Sequence, residues 1–96
     1  MKLVFQPAAE RDIREARSWY RAHSEALEER FLGVLTRTLR NVVEHPFAYE
    51  EEEAEVRRVV LTPFPYRVYY HPLPDKVVVL AVVHTSRRPA TWKRPR

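Results

Sequence analysis

The run Val77-Val78-Val79-Leu80-Ala81-Val82-Val83 is apolar at all seven positions, and no other segment limits the possible folds so sharply. Five of those positions are valine, whose branched Cβ favours extended backbone. The run is far shorter than the roughly 20 apolar residues that a membrane-spanning helix needs. It also lacks the polar stripe of a surface helix. It predicts a central strand covered on both faces, so the remaining residues must supply neighbours on either edge and layers above and below.

The N-terminal half supplies a helical layer. Residues 2–6 form a short β-favouring stretch ended by Pro7, which cannot donate to a sheet ladder but fits the first turn of a helix. From there Ala9, Ile13, Ala16 and Tyr20 recur at steps of four, three and four, the stripe of a 3.6-residue period, and predict a helix to about residue 22. Glu10 with Arg14 and Arg11 with Glu15 are spaced for exposed pairs, each contributing ~0.2–0.5 kcal/mol. Ser24 is placed as an N-cap, and Glu25, Glu28 and Glu29 follow where a helix N-terminus favours negative charge. Leu27, Phe31, Leu35, Leu39 and Val42 then carry the apolar face of a second helix, which Pro46 ends soon after residue 44. Gly33, the single glycine, lies inside that helix at a cost of about 1 kcal/mol relative to alanine, which suggests close packing where the helices cross.

Residues 46–55 contain Glu50-Glu51-Glu52-Glu53, whose charge density predicts a solvated loop. Strand character follows at residues 55–61, 66–71 and 76–84, joined by Pro63-Phe64-Pro65 and by Pro72-Leu73-Pro74-Asp75. Such short joints make the three strands antiparallel neighbours. The whole reads as one α+β domain, residues 1–96, of β-α-α-β-β-β order. In it a helical hairpin covers one face of a four-stranded, mainly antiparallel sheet, and residues 85–96 form a basic tail. Because side chains alternate along a strand, Tyr66, Val68 and Tyr70 belong to the covered face and Arg67, Tyr69 and His71 to the open one.

Charge is distributed unevenly. Residues 1–55 hold eight Lys/Arg against twelve Asp/Glu, whereas residues 56–96 hold nine against the single Asp75. The second half therefore suits an acidic or polyanionic partner. With no cysteine, the chain has neither disulfides nor a thiolate site, and the N-terminus is too short for a signal-peptide apolar region; a cytoplasmic protein is expected. His23, His45 and His71 have no metal-ligand spacing, so neither metal nor cofactor is expected.

Ala9, Asp12-Ile13, Trp19-Tyr20 and Arg30-Phe31 in the helices, Val56-Arg57-Arg58, then Phe64-Pro65-Tyr66-Arg67-Val68-Tyr69-Tyr70, Val79-Leu80-Ala81-Val82-Val83-His84, Arg87-Arg88-Pro89 and Trp92 follow one another in a familiar order. In this order they resemble the RelE/ParE superfamily of type II toxin–antitoxin toxins, closer to the ParE-like branch, over nearly the whole chain. The resemblance implies the same sandwich fold and a bacterial toxin bound in a hetero-oligomer by a cognate acidic antitoxin. It also implies growth arrest and plasmid stabilisation as the setting. For the ParE-like branch the target is DNA gyrase, inhibited by binding rather than catalysis. For the RelE-like branch the activity is endonucleolytic cleavage of messenger RNA on the ribosome. A third reading is an antitoxin-binding module without target activity.

Attack by an RNA 2′-hydroxyl requires a base, a cation at the phosphorane and an acid for the leaving oxygen. Resemblance to the nucleases puts Arg67 at their phosphate-stabilising arginine, with His84 and Arg87 nearby as the other candidates. Yet the stretch Arg58-Val59-Val60-Leu61 lacks the lysines of those nucleases, and Trp92 stands where they carry tyrosine, offering an N–H but no ionisable hydroxyl. His84, at the end of an apolar strand, has a simpler role as a hydrogen-bonded structural residue. Arg57 and Arg58 point to opposite faces, so one joins the open face and the other is expected to pair with helix carboxylates. Tyr66 and Tyr70 are expected in the core, and Tyr69 and Trp92 as exposed stacking groups. The partner-contacting set is then Arg57, Arg58, Arg67, Tyr69, Arg87, Arg88, Trp92, Lys93 and Arg94.

Overall fold

The computed structural model describes residues 1–86. The order is β1 (Lys2–Phe5), α1 (Pro7–His23), α2 (Glu25–Glu44), β2 (Glu51–Glu53), β3 (Val56–Val60), β4 (Tyr66–Pro72) and β5 (Lys76–His84). Pro7 occupies the first turn of α1, and the Ser24 hydroxyl accepts the Leu27 N–H at 3.0 Å to cap α2. The strands form one sheet in the order β1-β5-β4-β3-β2. The apolar run thus lies inside the sheet, with β5 parallel to β1 on one edge and antiparallel to β4 on the other.

The sheet has five strands rather than four, because Glu51–Glu53 is a strand and not a loop. Glutamate is disfavoured in strands, but at an edge its charge deters pairing with other chains, and here Arg58 of β3 supplies the compensating cation. The hairpin turns at Ala54 and Glu55, the latter in left-handed backbone at φ 68°.

Both helices lie on one side of the sheet. Ala9, Ala16, Tyr20, Phe31, Leu35 and Leu39 pack with Val68, Val79 and Val82, while Val42 packs with Tyr70 and Val77. At the centre the Tyr20 ring lies 5.2 Å from Phe31 and 5.1 Å from Phe64, and Phe31 lies 5.7 Å from Tyr66. These separations are those of favourable aromatic pairs. The Tyr70 hydroxyl donates to the Pro46 carbonyl at 2.7 Å, tying the end of α2 to β4, and burial pushes its pKa up to about 12.

The helix pair is also locked by charge. Glu28 of α2 receives Arg17 Nε at 3.0 Å, Arg21 Nε at 2.9 Å and Arg21 Nη2 at 2.8 Å. Hydrogen bonding from Arg21, reinforced by Arg17 against the opposing effect of burial, holds the Glu28 carboxyl at about 2 instead of 4.5. The expected pairs within α1 are not formed, since Glu10, Arg11, Arg14 and Glu15 close no ion pair among the described residues. Gly33 is not a packing glycine either. A Cβ built on it meets nothing within 4 Å, so the residue faces open space instead of a helix crossing.

One long-range contact joins α1 to the central strand. β1 ends at Phe5, opposite Val79, and beyond that point the Asp12 carboxylate accepts the Val82 N–H at 2.9 Å. Asp12 therefore satisfies a backbone donor that a longer β1 would otherwise take.

Candidate functional site

On the face away from the helices, Val56, Tyr69 and Ala81 form a second apolar patch with Leu80 and Val83. Arg67 shares that face, in register with Val60 of β3 and Val83 of β5. Its guanidinium forms no ion pair with any described residue. Beside it Val60 is 45% exposed, and Val4 of β1, 37% exposed, lies on the same face farther along β5, opposite Val78. The face thus combines an uncompensated cation with accessible apolar surface.

Tyr69 departs from expectation. It points to the predicted face but is only 1% exposed, so it serves as a packing residue and not as an exposed stacking group. It clusters with Val56 and Ala81, and directly after it β4 pairs Tyr70 with Val79, leaving Leu80 as an extra residue in β5. Small Ala81 lies opposite the ring, with Leu80 and Val83 beside it.

Arg57 and Arg58 do point to opposite faces, but their partners differ from those expected. Arg58 lies across from Tyr69 on the open face, and its guanidinium meets Glu50 at 3.1 Å and Glu52 at 3.1 Å. The Glu50 hydrogen bond is the main cause of its raised pKa. Arg57 turns to the helix side, yet it pairs with no helix carboxylate. It donates to the Tyr49 carbonyl at 2.7 Å and the Phe47 carbonyl at 3.3 Å, and it lies 5.2 Å above the Phe47 ring. Both arginines are thus engaged in holding residues 47–52 against β3.

His84 is registered with Tyr66, and the two rings meet edge-on at 5.2 Å. Since Tyr66 packs against the helix-side core, His84 faces the helices while Arg67 faces away. The two nuclease candidates are not brought together. The His84 Nδ1 accepts the Ser86 N–H at 3.1 Å and lies 2.8 Å from the Ser86 hydroxyl, which ties the ring to the turn after β5. Arg87, Arg88, Trp92, Lys93 and Arg94 lie outside the described residues.

Sequence reasoning missed three residues. Glu28 looked like one member of an N-terminal acidic cluster, and only the helix pairing reveals its two arginine partners. Asp12 bonds a residue seventy positions away, a separation that periodicity cannot detect. Trp19, 58% exposed, stands beside the apolar stripe and outside it, and an exposed tryptophan was the available signal.

A ParE toxin family, described as the ParE toxin of the type II toxin–antitoxin system parDE, matches residues 3–89. The chain belongs to this family: it is a RelE/ParE-type toxin of a type II toxin–antitoxin system. Among solved structures it is similar to a chain of the chromosomal ParDE system from P. aeruginosa, at 16% identity and a TM-score of 0.61, covering 88% of this chain and 95% of that one. It is also similar to the isolated E. coli RelE toxin, at 18% identity and a TM-score of 0.64, covering 96% and 92%. A chain of the intact E. coli RelBE complex gives 20% identity and a TM-score of 0.64, with 90% and 98% covered. At these identities the likeness shows the fold. No curated protein sequence matches significantly.

Proposed function

We propose that this toxin inhibits DNA gyrase by binding it, and that a cognate acidic antitoxin neutralises it in a hetero-oligomeric complex. The observation that carries the first part is the separation of Arg67 from His84 on opposite sides of the sheet. General acid–base cleavage of RNA needs its groups around one phosphate, and these two do not share a face. β3 adds nothing to such a site, because it has no lysine and both its arginines are engaged within the chain. Membership of the ParE family favours the same reading.

The antitoxin part rests on surface chemistry and on the likeness to chains of the ParDE system and the RelBE toxin–antitoxin complex. Arg67 supplies electrostatic steering, and Val60 and Val4 supply apolar surface for a segment that orders on binding. Arg87, Arg88, Trp92, Lys93 and Arg94 are then the target-contacting residues, for which the basic, tryptophan-bearing sequence is the support.

The test is a supercoiling assay with purified gyrase. Loss of supercoiling with accumulation of cleavage complexes is expected, and unimpaired supercoiling at excess toxin overturns the reading. One observation favours the ribosome-dependent nuclease instead: Arg67 stands without a counter-charge among the described residues, as a phosphate-binding arginine would. In that case Arg67→Ala abolishes messenger RNA cleavage.

A further inference from the structure

The two edges of the sheet differ in how they can meet another chain. At one, β2 is a run of glutamates interrupted by a bulge, and both features discourage a further strand. At the other, β1 is Lys2-Leu3-Val4-Phe5, with no acidic residue, no proline and an unbroken register to β5. Among the described residues β5 is its one strand neighbour.

The ladder fixes which backbone groups of β1 point outward. The Lys2 N–H donates to the Asp75 carbonyl at 3.4 Å, and the Gln6 N–H donates to the Val79 carbonyl at 2.9 Å. The N–H and C=O of one residue point to the same side of a strand and alternate along it, so Lys2, Val4 and Gln6 face β5 while those of Leu3 and Phe5 face away from it. The Leu3 and Phe5 side chains are half-buried on the helix side, where with Leu35, Leu39 and Val43 of α2 they line an open apolar groove of about 560 Å³. Val4 lies on the opposite face, 37% exposed.

We propose that β1 is a homodimerisation edge, to which a second copy of this chain adds its own β1, antiparallel, about a two-fold axis through Val4. In that register Leu3 lies opposite Phe5 of the second copy, and every outward N–H of the two residues meets an outward C=O. An axis through Leu3 instead sets Phe5 against Met1, and one through Phe5 sets Leu3 against Pro7, which has no N–H. Lys2 falls opposite Gln6, so no like charges meet across the strands. On the helix side, Leu3 and Phe5 of each copy fill the groove of the other, whose lining adds one cation, Arg40, and one anion, Glu44. The second copy thus matches this edge in backbone polarity, apolar burial and charge. Pairing takes place in the plane of the sheet, so it extends the open face without covering it and does not depend on whether gyrase or the ribosome is the target.

The test is sedimentation equilibrium of the full-length protein at concentrations up to about 1 mM, with amide exchange followed by NMR over the same range. A monomer–dimer equilibrium is expected, and exchange of the Leu3 and Phe5 amides should slow as dimer forms. Val4→Lys and Val4→Glu each place like charges across the axis, where directly opposed Cα atoms lie about 4.5 Å apart, and each should weaken the dimer by about tenfold. An equimolar mixture of the two variants should restore it, because only a strand paired with itself at Val4 sets lysine against glutamate. A monomer throughout the range, unaltered exchange at Leu3 and Phe5, or a mixture that associates no more strongly than the single variants would each overturn the proposal, whatever other segment then pairs with β1.

Discussion

The two faces of the sheet are built on different principles. On the helix side, Val68, Tyr70, Val77, Val79 and Val82 are closed off by apolar side chains of α1 and α2, and the aromatic cluster of Tyr20, Phe31, Phe64 and Tyr66 sits at the centre. On the other side, a small patch around Tyr69 is flanked by arginines, of which Arg58 is neutralised by the chain's own Glu50 and Glu52 while Arg67 is not. Apolar burial is therefore concentrated on one face, and the other is the face proposed for recognition. The acidic edge strand sharpens that division, because it compensates Arg58 on the open face while Arg67, beside the exposed Val60, has no ion pair among the described residues.

The widest gap between the faces should appear on truncating Phe31, fully buried on the helix side, against truncating Val60, 45% exposed on the other. Phe31→Ala is expected to cost about 3–5 kcal/mol in urea unfolding, and Val60→Ala to stay within roughly 0.5 kcal/mol. Similar losses for the two would break the distinction. Next in size is Asp12→Ala, which leaves the Val82 N–H without its acceptor and is expected to cost about 2 kcal/mol in the same measurement.

Acid should act mainly through the helix side. The Glu28 carboxyl titrates at about 2 in the folded protein against an ordinary value of 4.5. A depressed carboxylate pKa contributes stability above the unfolded value, and that contribution is lost as pH falls toward the folded one. The melting temperature should therefore drop between about pH 4.5 and 2 more steeply in the native protein than in Glu28→Gln. Parallel curves would show that Arg17 and Arg21 do not stabilise the ionised form. The smallest effect has the opposite sign: Gly33→Ala, with open space where its Cβ would lie, should raise stability by roughly 0.5–1 kcal/mol.

The helix-side architecture was largely legible in the sequence. The 3.6-residue stripes placed both helices, Ser24 and Pro46 marked the boundaries of the second, and the uninterrupted valine run placed β5 inside the sheet. What was not legible depended on cross-strand partners. Glu51–Glu53 pairs as a strand with Val56 and Arg57 while Arg58 supplies counter-charge to Glu50 and Glu52, and Tyr69 is buried on its face beside Val56 and Ala81. Alternation gave the correct face for Arg67 and Tyr69, but exposure depends on what stands opposite. Likewise, His84 follows Val83 by one position, and that single step carries it to the face away from Arg67.

The functional claim turns on that last separation, and cleavage on translating ribosomes tests it most directly. Purified toxin added to ribosomes carrying a defined messenger RNA should leave the transcript intact in a primer-extension assay. Toxin-dependent cuts at the ribosomal A site, removed by Arg67→Ala, would contradict the account and make the open face catalytic.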